Sequence, residues 1–227
     1  MNKGKLIVIE GACDGIGKST QFKMLSDRMA ANGNLPVCHH FPSYGTPQGA
    51  PVESYLRGEY GAPETLSPYF VNMLYALDRA VTVKTLLAPS LEEGRDVLLD
   101  RYTTSSLIYQ SSFITDKTEK QKFIEYVTDF EYSRLGIPKP GTVLFLNAPY
   151  ECAESLRKSR TSNDGVEHDI HESSGGFMKK VYDSAQLVCD MCAFTRIDCT
   201  DADGRMYSRE TIHEKIMSAL KDAGIKI

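Results

Sequence analysis

The sequence has no excess of basic residues: 26 Lys and Arg stand against 30 Asp and Glu, a net charge of −4. A chain that coats nucleic acid or an anionic membrane needs a basic face, so no nucleic acid and no membrane is expected as partner. Long apolar runs are lacking as well. Met1 to Lys5 is polar, and Leu6 to Ile9 is far too short for a secretory h-region or a spanning helix, so no secretory signal is expected. Cysteine is sparse, six in 227 residues, which excludes a disulfide scaffold. Cys189 and Cys192 form one C-x-x-C, but no second pair or nearby His pair completes four zinc ligands. Two reduced core thiols are the expectation, in a cytoplasmic protein.

What remains is an ordinary globular composition, 41 % hydrophobic and 25 % charged, in a chain long enough to bury a core without staples. Short apolar runs alternate with longer helical stretches, which implies an α/β fold with a parallel sheet wrapped by helices. Five runs read as buried strands: Leu6–Glu10, Val37–Phe41, Val97–Asp100, Thr142–Asn147 and Phe194–Asp198. Helices are expected over Lys18–Asn32, Ser67–Leu87, Lys120–Leu135, Tyr150–Lys158, Val181–Cys192 and Thr211–Ala223. Ser159 to Asp169 has almost no apolar residues and reads as a mobile surface loop. No repeat or long linker divides the chain, so residues 1–227 are expected to form a single domain.

The strongest local signal is Gly11-Ala12-Cys13-Asp14-Gly15-Ile16-Gly17-Lys18-Ser19-Thr20, which follows an apolar strand and opens an amphipathic helix. That is the context of a P-loop. Gly15 and Gly17 let the backbone curl so that N–H groups point at phosphate oxygens, and the helix N-terminus adds partial positive charge. Lys18 supplies a full charge to the terminal phosphates, and the Ser19 hydroxyl suits Mg²⁺. The loop departs from the strict pattern: counting back from Gly17, the first glycine position holds Ala12, and Gly11 lies one residue early. A glycine-rich turn without phosphate is the bland alternative, and the agreement of strand, loop, Lys-Ser-Thr and helix argues against it.

P-loops serve many enzymes, so the acceptor is argued from elsewhere. No N-K-x-D base-reading motif is present, which disfavours a GTPase. Asp100-Arg101-Tyr102 closes the third strand, at the sheet edge where ligands bind in open α/β folds. Tyr75 and Arg79 are four apart on one helix face, so a ring and a guanidinium project together. Phe41-Pro42-Ser43-Tyr44 follows the second strand and by itself is compatible with plain packing.

Ile9-Glu10-Gly11, Phe41-Pro42, Ala76-Leu77-Asp78-Arg79, Asp100-Arg101-Tyr102 and Asp169-x-x-Glu172 occur in the order and spacing of thymidylate kinases. From about Lys5 to the final helix the chain resembles that family. The resemblance implies a three-layer α/β/α P-loop NTPase fold with a five-stranded parallel sheet and a mobile lid over about 157–172. It implies transfer of the ATP γ-phosphoryl group to dTMP with Mg²⁺, and a homodimer.

Residue by residue, the resemblance makes Asp14 a carboxylate that contacts the acceptor and Tyr75 the ring that stacks on thymine, where phenylalanine is commoner. Arg79 matches the arginine that holds thymine and the acceptor phosphate, Arg101 the one that clamps that phosphate, and Phe41 and Tyr44 contacts around the same group. Many relatives carry an arginine just after the Phe-Pro pair; Ser43 and Tyr44 supply none. Ser105, Ser106 and Tyr109 match positions that meet the base edge and sugar, although composition alone reads Tyr109 as helix packing. Asp169, His171 and Glu172 match lid contacts, Glu172 with Ser19 on the metal side, and His171 stands where relatives show tyrosine. ATP is expected on Asp14, Gly15, Ile16, Gly17, Lys18, Ser19 and Thr20, with Arg157 stacking on adenine.

Phosphoryl transfer gathers negative charge on the migrating group, so catalysis is mostly positioning and cation placement. Some relatives place an arginine in the P-loop just after the aspartate; here that residue is Gly15. Lys18, Arg101, Asp14 and, from the lid, Arg160 are therefore the residues expected to carry catalysis. A deoxynucleoside kinase and a catalytically silent nucleotide-binding regulator are the alternatives.

Overall fold

The computed structural model describes residues 3–12, 15–156 and 175–225. Five strands form one sheet in the order β2-β3-β1-β4-β5, and every neighbouring pair is parallel. They are β1 (Leu6–Gly11), β2 (Val37–His40), β3 (Val97–Asp100), β4 (Thr142–Asn147) and β5 (Thr195–Asp198). All six residues of β1 and all four of β3 are buried, as unbroken apolar runs require when helices cover both faces. On β2 burial alternates, which marks an edge strand.

Successive side chains point to opposite faces, so each strand feeds two cores. Ile7, Ile9, Leu98, Leu144 and Leu146 pack on one face against Leu25 and Met29 of α1 (Lys18–Ala31). Ile216 and Leu220 of the C-terminal helix Arg209–Asp222 join that face. Leu6, Val8, Val97 and Leu99 pack on the other face against Val83, Leu87 and Leu91. The outcome is the expected three layers.

The helices begin and end where local chemistry dictates. α2 (Ala50–Leu56) was not expected from the sequence. Seven residues are too few for a helical period to emerge, and the helix is held by Val52 and Tyr55 packing on Val71 and Leu74. α3 (Pro68–Thr82) starts at the expected proline, passes through a π-helical stretch, Val83–Leu87, and ends as α4 (Ala88–Glu92). α5 covers Thr103–Tyr109. α6 (Lys117–Thr128) starts earlier than expected because the Asp116 side chain accepts the Glu119 N–H at 2.9 Å. It continues as a second π-helical stretch, Asp129–Arg134.

The chain is helical over 150–156, which we call α7, and α8 (Gly175–Met191) begins ahead of the expected Val181. α9 (Arg209–Asp222) is capped by Ser208, whose hydroxyl accepts the Thr211 N–H at 3.1 Å. Cys189 is buried and Cys192 half-buried, and both are free thiols, as expected. Among the described residues no helix is long and apolar enough to cross a membrane.

Parallel pairing is what assembles a site. Because β1 and β3 run side by side in one direction, Ile9 pairs with Asp100, and the segments after both strands emerge at one edge. The sheet order reverses beside β1, the position at which open α/β sheets leave a crevice.

Candidate active site

The phosphate loop grows out of β1. Gly11 pairs with Leu146, and the Ala12 N–H still donates to the Leu146 carbonyl at 3.0 Å, so the strand carries the chain as far as Ala12. A Cβ on Gly11 would stand 2.9 Å from Ile16 Cδ1 and 3.1 Å from Lys18 Cδ, so glycine here lets the lysine stem lie against the strand. Gly15 and Gly17 have φ of 93° and 94°, the left-handed region that favours glycine. Ile16 is buried in the core and anchors the loop between them.

Gly17 caps α1 and has no side chain to cap it, so the helix opens on backbone N–H groups, which suit an anion. Lys18 is 8 % exposed, Thr20 half-buried, and Ser19 exposed on the first turn. Cys13 and Asp14 lie outside the described residues.

Beside this loop Asp100 ends β3, buried. Its Oδ2 meets His40 Nδ1 at 3.2 Å, while its Oδ1 is buried without a hydrogen-bond partner. Burial alone would raise the Asp100 carboxyl; the His40 hydrogen bond and the charges of Lys18 and Arg101 outweigh it and hold the group below the usual carboxylate range. An ionised carboxylate oxygen with no hydrogen-bond partner fits a hard divalent cation. Together with the Ser19 hydroxyl it gives the sparse oxygen set that Mg²⁺ takes when phosphates and water complete its shell. Glu172 lies outside the described residues.

Arg101 follows with φ of 68°, unusual for a side chain of this size. Its N–H donates to the Ile9 carbonyl at 3.2 Å, and its guanidinium lies 5.2 Å from the centre of the Tyr109 ring. Glu10 ties β1 to α5. Its Oε2 accepts the hydroxyls of Thr104, at 2.9 Å, and Ser105, and its Oε1 accepts the Gly11 N–H at 3.1 Å.

Arg79 is 1 % exposed, and its partner Glu131, on the π-helical stretch after α6, is fully buried. The pair is bidentate: Nε donates to Oε2 at 2.7 Å and Nη2 to Oε1 at 2.6 Å. Thr103 Oγ1 donates to Oε2 at 2.8 Å, and Arg79 Nη2 also reaches Ser106 Oγ at 2.8 Å. Burial works against the Arg79 charge, but Glu131 overcomes it and keeps the guanidinium protonated. The charge of Arg79 is thus balanced inside the protein. Arg101 instead stands at the sheet edge, half-buried, its guanidinium over the Tyr109 ring.

Tyr75 sits one turn before Arg79, half-buried and edge-on to Tyr55 at 6.3 Å. The turn after β2 is fixed from α3: the Ser43 N–H donates to Asp78 Oδ2 at 2.7 Å, and the Ser43 hydroxyl lies 3.2 Å from Thr82 Oγ1 and 2.9 Å from His39 Nε2. Phe41 packs in the core against Tyr102, ring centres 5.9 Å apart, and Tyr44 is exposed beside His40.

The structure therefore gathers Lys18, Ser19, Arg101, Ser105 and Tyr109 around the β1–β3 edge, with Tyr75, Arg79 and Ser106 joined through α3 and α5. It directs the Phe41 ring inward instead. Asp14, Arg157, Arg160, Asp169, His171 and Glu172 lie outside the described residues. Sequence reasoning missed Glu131, Glu10 and the partnerless oxygen of Asp100. For Glu131 no local signal existed, because its partner is 52 positions away on another element.

Comparison with known proteins follows from this geometry. Residues 9–203 match the family model described as thymidylate kinase. The thymidylate kinase of Mycobacterium tuberculosis (strain ATCC 25618 / H37Rv) is 35 % identical over 170 residues, covering 74 % of this chain and 77 % of that one. That of Thermoanaerobacter sp. (strain X514) is 33 % identical over 179 residues, covering 79 % and 80 %. That of Synechococcus sp. (strain RCC307) is 27 % identical over 227 residues, covering 97 % of each.

Two outcomes follow from the buried groups. Glu131→Ala strands the Arg79 charge in the core and should lower unfolding free energy by about 3–5 kcal/mol, whereas Arg79→Leu/Glu131→Leu should restore most of it. Urea denaturation of the three proteins measures this, and a Glu131→Ala loss as small as that of a surface change would contradict it. His39 titrates the other network. Burial pushes its imidazole below the ordinary value of 6.5, outweighing the pull of Asp78. The folded pKa is depressed, so the stability is present above about pH 6.5 and is lost as pH falls below it. His39→Gln should flatten that part of the stability profile.

Proposed function

The chain belongs to the thymidylate kinase family, and we propose that it transfers the γ-phosphoryl group of ATP to dTMP, giving ADP and dTDP for dTTP synthesis. The observation that carries this reading is the juxtaposition, at one sheet edge, of the Lys18 loop and Arg101. One element is suited to a donor triphosphate and the other to an acceptor phosphate. A nucleoside acceptor has no phosphate and so would make no use of the cation held in strained backbone at position 101.

The N–H groups of Gly15 to Ser19 and the Lys18 ammonium hold the terminal phosphates of ATP. Ser19, Asp100 and Glu172 would hold Mg²⁺, which would supply positive charge to offset that of the phosphates. Arg101 clamps the dTMP phosphate, its guanidinium seated over Tyr109 so that little side-chain freedom is lost on binding. With its charge balanced by Glu131, Arg79 serves the neutral base better than a dianionic phosphate, and Tyr75 supplies the stacking face. Tyr109 and Ser105 border the sugar. Asp14 contacts the acceptor, Arg157 stacks on adenine and Arg160 supplies the cation on the migrating group. The lid, with Asp169 and His171, closes over both nucleotides and excludes water.

The protein is further proposed to be cytoplasmic and homodimeric. Burial pushes the thiols of Cys189 and Cys199 up to about 11, leaving them protonated and unreactive, as suits a reducing compartment. For the dimer, α3 exposes Phe70, Met73 and Leu77 at helical spacing, 37 %, 50 % and 48 % exposed, beside Tyr69 and Tyr126. An apolar stripe on a helix whose other face is core suits a second copy of the same surface.

ADP formation from ATP and Mg²⁺ should be strongest with dTMP and absent with thymidine. Turnover of thymidine would point to a nucleoside kinase, and ATP binding with no turnover of any acceptor to a silent regulator. Arg101→Ala should lower kcat/KM by about 10³-fold or more, and Arg160→Ala should reduce kcat more than it raises KM. If Arg157→Ala does so instead, the two lid arginines exchange roles. Sedimentation should report a dimer that Met73→Glu converts to monomer; a wild-type monomer would remove the dimer.

A further inference from the structure

Asn72 carries a polar group that nothing among the described residues uses. It lies on α3 one turn before Tyr75 and two before Arg79, and it is fully buried. Chemistry sets its amide orientation. An arginine only donates, so the atom facing Arg79 Nη2 at 3.4 Å is the carbonyl oxygen Oδ1. The contact is long because both hydrogens of Nη2 are already directed at Glu131 and Ser106. The other end of the amide, Nδ2, is then a donor buried with no hydrogen-bond partner. Buried donors are rarely left so, because the lost hydration is not repaid.

We propose that Asn72 is a specificity-determining residue of the acceptor site, its Nδ2 donating to a carbonyl on the pyrimidine ring of the acceptor nucleotide. The inference rests on the reading of Tyr75 as the stacking face for the base.

Nδ2 is bonded to the same carbon as Oδ1, so it lies beside the Arg79–Ser106 contact. Asn72, Tyr75 and Arg79 share one helix face, and a ring seated on Tyr75 presents its edge to the residues one turn to either side. The cluster at that edge is rich in donors and poor in acceptors. Arg79 donates only. Ser106 already accepts from Arg79 Nη2, which leaves its proton to donate. The carboxylate of Glu131 is taken by Arg79 and Thr103. Such an edge suits a ring carbonyl, as in thymine or uracil. It disfavours the exocyclic amino group of cytosine, which would bring donor against donor.

Initial rates with dTMP, dUMP and dCMP on the wild type, Asn72→Asp and Asn72→Ala test this. Asparagine to aspartate keeps shape and the oxygen facing Arg79 while removing the donor, so that variant guards against a folding defect in the alanine one. Both variants should lose about tenfold in kcat/KM for dTMP, chiefly through KM. The dTMP to dCMP preference should fall by at least about tenfold, furthest in Asn72→Asp. The dTMP to dUMP ratio should not move, because those bases share the carbonyl and differ in a methyl group. An equal loss on all three substrates means a structural role and overturns the inference, as does an unchanged dTMP to dCMP preference. In both cases wild-type turnover of dTMP leaves the underlying reading standing. A wild type that turns over no pyrimidine nucleotide overturns that reading, and the inference with it.

Discussion

The parallel pairing of β1 with β3 is the constraint on which the site depends. Ile9 faces Asp100 across that ladder, and the Arg101 N–H reaches back to the Ile9 carbonyl at 3.2 Å. Two segments far apart in sequence, the loop before Lys18 and the Asp100-Arg101-Tyr102 turn, therefore leave the sheet at the same height. Neither holds a phosphate site alone: the loop offers backbone donors and one ammonium, the turn a carboxylate and a guanidinium. The hydrophobic effect maintains the pairing, since both strands are buried on both faces and a slip by one residue would exchange the two cores.

Around that edge the protein handles its two arginines differently. Arg79 is sealed in the core with Glu131, where removing either partner strands a charge but the pair as a whole adds little net charge to the crevice. Arg101 is half-buried, rests on an aromatic ring and adopts a backbone conformation that larger side chains avoid. A guanidinium balanced by a buried carboxylate suits a neutral carbonyl. Asp100, pulled down by Lys18, Arg101 and its contact with His40, keeps one oxygen without a partner for whatever cation the nucleotides bring.

Polar networks hold the rest of the frame. Asp78 and Thr82 on α3 grip Ser43, so the turn after β2 is located by the helix that also carries Tyr75 and Arg79. Glu10 gathers hydroxyls from the first turn of α5, the helix that presents Ser106 and Tyr109. Each bond is buried or nearly so, where water does not compete and a satisfied partner fixes geometry.

All five strands and the glycine-rich turn that leads from β1 into α1 were legible in the sequence because each is a local matter. Short apolar runs, a glycine-rich turn before Lys-Ser-Thr and an arginine at a strand end are read within a few residues. α2 was not legible, being too short to show a period; Val83–Leu87 and Asp129–Arg134 were read as helix, but not their π winding. The sequence left open how Phe41 packs; in the fold its ring is buried against Tyr102. By itself, then, the sequence determined the layered α/β fold, which follows from its alternating apolar runs and helical stretches, and its short motifs carried the resemblance to the family. Only the tertiary structure decided that Glu131 balances Arg79, that Asp100 keeps a partnerless oxygen and that the Asn72 amide lacks an acceptor. Those depend on Glu131, His40 and Ser106 arriving from distant elements, and charge balance and hydrogen-bond satisfaction exist only once the chain has brought them together.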